Sequence, residues 1–84
     1  MPPPPYEDYA LAKAAVRAAR DVDSARFSTT TMHKAEEAFR KGEKSFKDND
    51  FEQAKRFFVR SKELAESAEN ATRLKKFKNG DTFP

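Results

Sequence analysis

The sequence offers only one histidine, His33, for metal binding or acid–base chemistry. Glu36 and Glu37 follow it by three and four residues, so a helix would bring the imidazole and a carboxylate to one face, as two ligands of a divalent metal. Closing such a site would require a further ligand from another helix or chain. The simpler interpretation is an exposed histidine near a helix N-terminus beside solvated acids. We therefore predict no metal site.

A second polar cluster, Asp48, Asn49, Asp50 and Glu52, resembles the start of a calcium-binding loop. Such a loop needs a glycine at its sixth position and a bidentate glutamate at its twelfth. The sequence has neither, so it predicts a turn in which Asp50 caps the helix that follows.

Residue groups typical of catalysis are missing from the sequence. Ser24 and Ser28 have no second histidine or buried acid to activate them, and no glycine-rich phosphate loop or pair of buried carboxylates is evident. A chain of 84 residues rich in alanine also builds a thin core, with little room for a deep pocket. We predict that the protein is not an enzyme, with no cofactor and no small-molecule substrate.

Lys75, Lys76 and Lys78 surround Phe77 near the end of the chain. Such a cluster could suit an anionic surface, either phospholipid headgroups or nucleic acid. Basic residues at a helix C-terminus also stabilise the helix dipole, and the net charge of +3 is typical of an ordinary solvated surface. Weak binding to nucleic acid or an anionic surface is one alternative function, although we expect no nucleic-acid partner.

Apolar residues recur every three or four positions in three segments, which indicates helices over about 6–21, 30–47 and 50–77. The first stripe is alanine-rich, the second contains Gly42, and a glycine inside a helix is best explained by a neighbouring helix that passes close by. The members of the three stripes are Tyr9, Ala12, Val16 and Ala19; then Met32, Ala35, Phe39, Gly42 and Phe46; then Phe51, Ala54, Phe58, Ser61, Ala65, Ala68 and Thr72.

The short turn at residues 47–50 requires the second and third helices to be antiparallel. We therefore predict an all-α fold, a long antiparallel helical hairpin with a shorter leading helix that together form a three-helix bundle. The domain is expected to span residues 6–78, with a flexible tail at 79–84. No run of apolar residues is long enough to span a membrane.

The third helix carries a second stripe, Phe57, Leu64 and Ala71, beside its first. Its apolar face is therefore wide enough for two neighbours. If part of this stripe is exposed, it predicts a homodimer or a groove for another helix. We predict Phe57, Phe58 and Leu64 as partner-binding residues.

Four consecutive prolines, Pro2–Pro5, favour an extended polyproline II segment. We interpret residues 1–5 as a proline-rich tether between the helical body and something upstream. The alternative is a proline-motif ligand for an aromatic groove.

Two family resemblances follow from these residues. The spacing of Gly42, Ala54, Phe58 and Ser61 resembles the middle of a tetratricopeptide repeat, although the usual residues before the glycine are replaced by Ala38 and Lys41 and no second copy follows. This resemblance implies, as an alternative, a cytoplasmic adaptor that binds a peptide or a helix.

The second resemblance covers nearly the whole chain. An alanine-rich helix, a break that contains Phe27, the segment 34–38 and the helix opening at 48–54 occur in an order that resembles an uncharacterised helical domain of bacterial envelope lipoproteins. Thr29–Thr31 replace the proline that this family usually has in the break. The resemblance implies a non-enzymatic scaffold or interaction module in the periplasm. Met1 would then stand in place of a lipidated cysteine, and the prolines would lead to the lipid anchor.

Overall fold

The computed structural model describes residues 2–80, so Met1 and the predicted tail beyond Gly80 lie outside it. Within that range the protein has four helices and no strand. They are α1 (Tyr6–Asp21), α2 (Ser24–Phe27), α3 (Thr29–Lys47) and α4 (Phe51–Lys78). None of them is long and apolar enough to cross a membrane.

The three long helices form an up-down-up bundle in which α4, with 28 residues, is the central element. Both α1 and α3 pack mainly against α4 and touch each other little. α3 is antiparallel to both α1 and α4, so α1 and α4 run in the same direction. The molecule is a flat rod of 50 × 21 × 13 Å. The predicted all-α fold with a long helical pair is confirmed.

The core follows the predicted stripes and divides into two clusters. Near the middle of the rod, Val16, Met32 and Ala65 pack with neighbouring alanines. At the hairpin end, where α3 turns into α4, Ala12, Ala54 and Phe58 pack with half-buried aromatic rings. Alanines fill most positions at the contacts of the helices, so the helices approach closely with few large side chains between them.

Gly42 of α3 allows the Phe58 ring of α4 to pack directly against the α3 backbone at the hairpin end. A Cβ atom added there would lie 2.6 Å from Cε1 of Phe58, far inside normal contact distance. The predicted close approach of a second helix at this glycine is confirmed. Phe58 is fully buried and also stacks against Tyr9 and Phe39, with ring centroids 5.4 and 5.5 Å away.

The connection between α1 and α3 contains the short helix α2, which the sequence did not predict. Asp23 turns the chain with a left-handed backbone, φ 70° and ψ 38°. Ser24 then becomes buried and donates a hydrogen bond to the carbonyl oxygen of Ala68 on α4. Because that bond uses the only hydroxyl hydrogen of Ser24, Thr72 must donate to Ser24 at 2.8 Å, and Ser28 to Thr72 at 2.9 Å. This chain of hydroxyls fastens α2 to α4.

The turn between α3 and α4 has the predicted form. Asn49 adopts φ 60°, which asparagine tolerates better than most residues. Asp50 caps α4 by accepting a hydrogen bond from the backbone N–H of Gln53 at 3.3 Å.

The prolines predicted as a tether are partly packed against this end of the rod. Pro5 precedes α1 directly and is buried, Pro4 is half-buried, and the run shares a shallow hollow with Phe51 and Glu52 of α4. Pro2 and Pro3 are exposed. The last two prolines therefore belong to the folded body.

Candidate interaction surface

The predicted contact residues Phe57 and Phe58 point to different sides of α4. Neighbours in a helix project about 100° apart, so the two rings lie in different surroundings even though α3 contacts both. Phe58 points to the α1 side and is 0% exposed. A ring that is fully enclosed cannot contact a partner, so we remove Phe58 from the predicted contact residues.

Phe57 points to the other side, into a shallow groove between α3 and α4. It is half-buried, and it lines a hollow with Ala38, Lys41 and Arg60. The Lys41 ammonium lies 6.0 Å from the centre of the Phe57 ring, near the outer limit of a cation–π contact. The ring is thus at the floor of the groove, with charged side chains on both walls. We call this surface the α3–α4 groove; it is lined by Lys34, Glu37, Ala38, Lys41, Phe57 and Arg60, and Leu64 follows Phe57 on the same face of α4.

Leu64 and Ala71 extend the same side of α4 beyond Phe57. Both are half-buried: Leu64 packs against the central core cluster, and Ala71 lines a second hollow beside Thr31, where α3 begins. The second stripe predicted from the sequence is therefore partly covered by α3, and it is partly open along its outer edge.

The walls of the α3–α4 groove are mainly positive. Lys34, Lys41 and Arg60 face a single acid, Glu37, which pairs with Lys41 at 4.0 Å. Within residues 2–80, Lys34 and Arg60 form no ion pair with the protein's own acids. An apolar floor between unpaired cations favours a partner that brings both apolar and acidic side chains.

A cleft at the hairpin end is a second apolar feature, and sequence reasoning did not identify it. Tyr6 and Tyr9 of α1 face Phe46 of α3 across a space of about 270 Å³ that closes on Phe58. The Tyr6 and Phe46 rings are 5.6 Å apart. The sequence placed Phe46 and Phe58 on the apolar stripes of the second and third helices, but it gave no sign that Tyr6 would remain 68% exposed beside them.

The two polar clusters singled out in the sequence, around His33 and at residues 48–52, lie at helix ends. His33 is exposed near the start of α3, and across residues 2–80 no group of three or more potential metal-ligating side chains converges. Asp48 forms an ion pair with Lys44 at 3.0 Å, and Asp50 caps α4. These side chains take part in local helix-end contacts.

A comparison with protein families matches residues 7–80 to "Domain of unknown function (DUF4398)". The chain belongs to this family. The match covers all four helices of the bundle except the first residue of α1, so the bundle as a whole is the DUF4398 domain. Neither the curated proteins nor the solved structures contain a significant match.

Proposed function

We propose that this DUF4398 domain is a non-enzymatic protein-interaction module and that its α3–α4 groove binds a helix of a partner chain. The observation that carries the proposal is the half-buried Phe57 ring on the groove floor, between Lys34 and Lys41 on one wall and Arg60 on the other. Aromatic rings flanked by arginine are typical of the residues that dominate binding energy at interfaces.

The architecture favours a helix as the occupant. α1 packs on one side of the α3–α4 pair, and the groove lies on the opposite side. A further helix laid there would complete a four-helix arrangement with the same kind of contacts. Its apolar face would cover Phe57 and Leu64, and acidic residues at its edges would pair with Lys34 and Arg60.

A second copy of the chain carries a face with these properties. On the outer side of α1, Leu11, Ala14 and Ala18 form a small apolar stripe, and Glu7 and Asp21 lie at its ends. Leu11 is 44% exposed there. Docking α1 of one copy into the α3–α4 groove of another would be a head-to-tail contact, which builds rings or filaments as well as dimers.

Light scattering over a concentration series tests whether the occupant is a second copy. We expect self-association of the wild type and monomers for both Phe57→Lys and Leu11→Lys, because each change places a charge in one half of the contact. Val59→Lys is the matched control, since Val59 is an exposed apolar residue on the outer face of α4. A wild type that stays monomeric excludes the second copy and leaves a different chain as the occupant. Self-association that persists in Phe57→Lys contradicts the groove.

We further propose that the module belongs to a bacterial envelope lipoprotein and works in the periplasm, held to a membrane by a lipid anchor. This part rests on the resemblance of the residue order to domains of envelope lipoproteins and on the exposed Pro2 and Pro3, which can lead away from the rod. Labelling the native protein with a fatty-acid analogue in its host should modify it. Absence of label, together with recovery in the cytoplasmic fraction, would contradict the proposal.

A further inference from the structure

Two exposed apolar side chains lie at the end of α4, remote from the α3–α4 groove. Leu74 is 55% and Phe77 61% exposed, although both are large and neighbours on the helix surface. The buried stripe of α4 ends at Thr72. Neither residue therefore serves the core, and together they form an apolar spot on the outer face of the last two turns. We call residues 73–78 the α4 tip.

The charges of the α4 tip are all positive. Arg73, Lys75, Lys76 and Lys78 lie among Leu74 and Phe77, and no acid occurs between Asn70 and Gly80. By helical rotation, Arg73 and Lys78 fall on opposite edges of the Leu74–Phe77 spot. An attraction to the helix dipole accounts for cations at a C-terminus, but it does not account for two exposed apolar side chains among them.

Contacts within the body fix the orientation of this spot. Lys75 donates a hydrogen bond to the carbonyl oxygen of Phe27, and the Lys76 ammonium lies 5.5 Å from the centre of the Phe27 ring. Both contacts hold the tip against α2. As a result, the side that carries Leu74 and Phe77 faces away from the bundle, and Arg73 is held at its edge by Glu69 at 2.9 Å.

We propose that the α4 tip binds the surface of an anionic phospholipid bilayer. Leucine and phenylalanine flanked by cations are the combination that inserts shallowly between headgroups, and here Arg73 and Lys78, at the two edges of the spot, would stay at the phosphate level. A nucleic acid would also attract the lysines, and an unpaired base can stack on an exposed phenylalanine, but Leu74 would have no favourable contact on a phosphate backbone. The apolar pair therefore favours the bilayer. This inference uses none of the residues of the α3–α4 groove.

The experiment uses a tryptophan as a fluorescent reporter. The chain has no tryptophan of its own, so the emission comes from the introduced residue alone. Phe77→Trp places the indole in the spot, and Val59→Trp is the matched control on the same face of α4. Each variant is titrated with vesicles of phosphatidylglycerol and phosphatidylcholine and with vesicles of phosphatidylcholine alone. Only the Phe77→Trp variant should shift its emission to the blue, and only with the anionic vesicles, because tryptophan prefers the interface.

Two further variants separate charge from apolar contact. We expect Lys78→Gln to weaken vesicle binding about fivefold and Phe77→Ser to weaken it roughly tenfold. Val59→Ser should have no effect. Raising the ionic strength from about 0.05 to about 0.5 M should also weaken binding, since the cations are exposed.

The proposal is overturned if the anionic vesicles cause no shift in Phe77→Trp, or if they shift Val59→Trp equally. It is also overturned if Phe77→Ser binds the vesicles as the wild type does. Tighter binding to single-stranded DNA than to vesicles, unchanged in Phe77→Ser, would instead assign the lysines to nucleic-acid phosphates. Circular dichroism should show unchanged helix content in every variant, because the substituted positions are exposed.

Discussion

Replacing Gly42 with alanine should destabilise the protein, although the same change stabilises most helices. Alanine is favoured over glycine inside a helix by about 1 kcal/mol. The added methyl group, however, would lie 2.6 Å from Cε1 and 2.7 Å from Cδ1 of Phe58, whereas ordinary contact begins near 3.4 Å. The ring would have to move by about 0.8 Å, and overpacking of this kind costs typically 1–3 kcal/mol.

The Phe58 ring has little room to move, since Tyr9 and Phe39 lie against it with centroid distances of 5.4 and 5.5 Å. We therefore place the penalty in the upper part of that range and expect a net loss of about 1–2 kcal/mol. In a domain of this size each kcal/mol lowers Tm by about 4–8 °C. Thermal unfolding followed by far-UV circular dichroism measures the shift.

The Phe58→Leu background provides the control. The smaller side chain removes the ring atoms that the new methyl group meets, so Gly42→Ala should now stabilise the protein by up to about 1 kcal/mol. The sign of the effect should thus reverse between the two backgrounds. A higher Tm for Gly42→Ala in the wild-type background would show that the two helices do not approach as closely as described.

Two other substitutions test the contacts at the ends of α4. Thr72→Val removes the central hydroxyl of the buried chain and leaves the Ser28 donor without its acceptor, so we expect a loss of about 1–3 kcal/mol in the free energy of unfolding. The exposed Thr30→Val should change it by less than about 0.5 kcal/mol; equal effects of the two in urea unfolding would refute the hydroxyl chain. Asp50→Ala removes the cap on Gln53 and should lower stability by about 0.5–1 kcal/mol, whereas Asp50→Ser should retain most of it.

Helical periodicity predicted most of the fold because the bundle is built from long helices with regular stripes. The turn could also be predicted from the sequence, since Asn49 and Asp50 tolerate or favour the backbone and capping positions that a tight turn requires. Gly42 also carried information, because a glycine in the middle of a helix has a propensity cost that only a close contact offsets. Each of these features depends on residues that are close together in the chain, so each can be predicted from the sequence.

The remaining features depend on which surfaces meet in space. Serine favours caps and turns over helix interiors, and nothing in the local sequence indicates that Ser24 and Ser28 are buried against Thr72, 44 residues or more away. Phe57 and Phe58 belong to two stripes of similar apolar character. Only the packing of α1 on one side of the α3–α4 pair decides that Phe58 is core and Phe57 is half-buried.

The most direct test of the α3–α4 groove is site-specific photo-crosslinking in cells of the native host. p-Benzoylphenylalanine at position 57 keeps an aromatic ring on the groove floor, and the same group at position 59 is the control on the outer face of α4. We predict one discrete covalent adduct from position 57, to a second copy or to another protein, and none from position 59. The adduct should weaken when Arg60 is changed to Glu. No adduct from position 57, or equal adducts from both positions, would contradict the groove as the interaction surface.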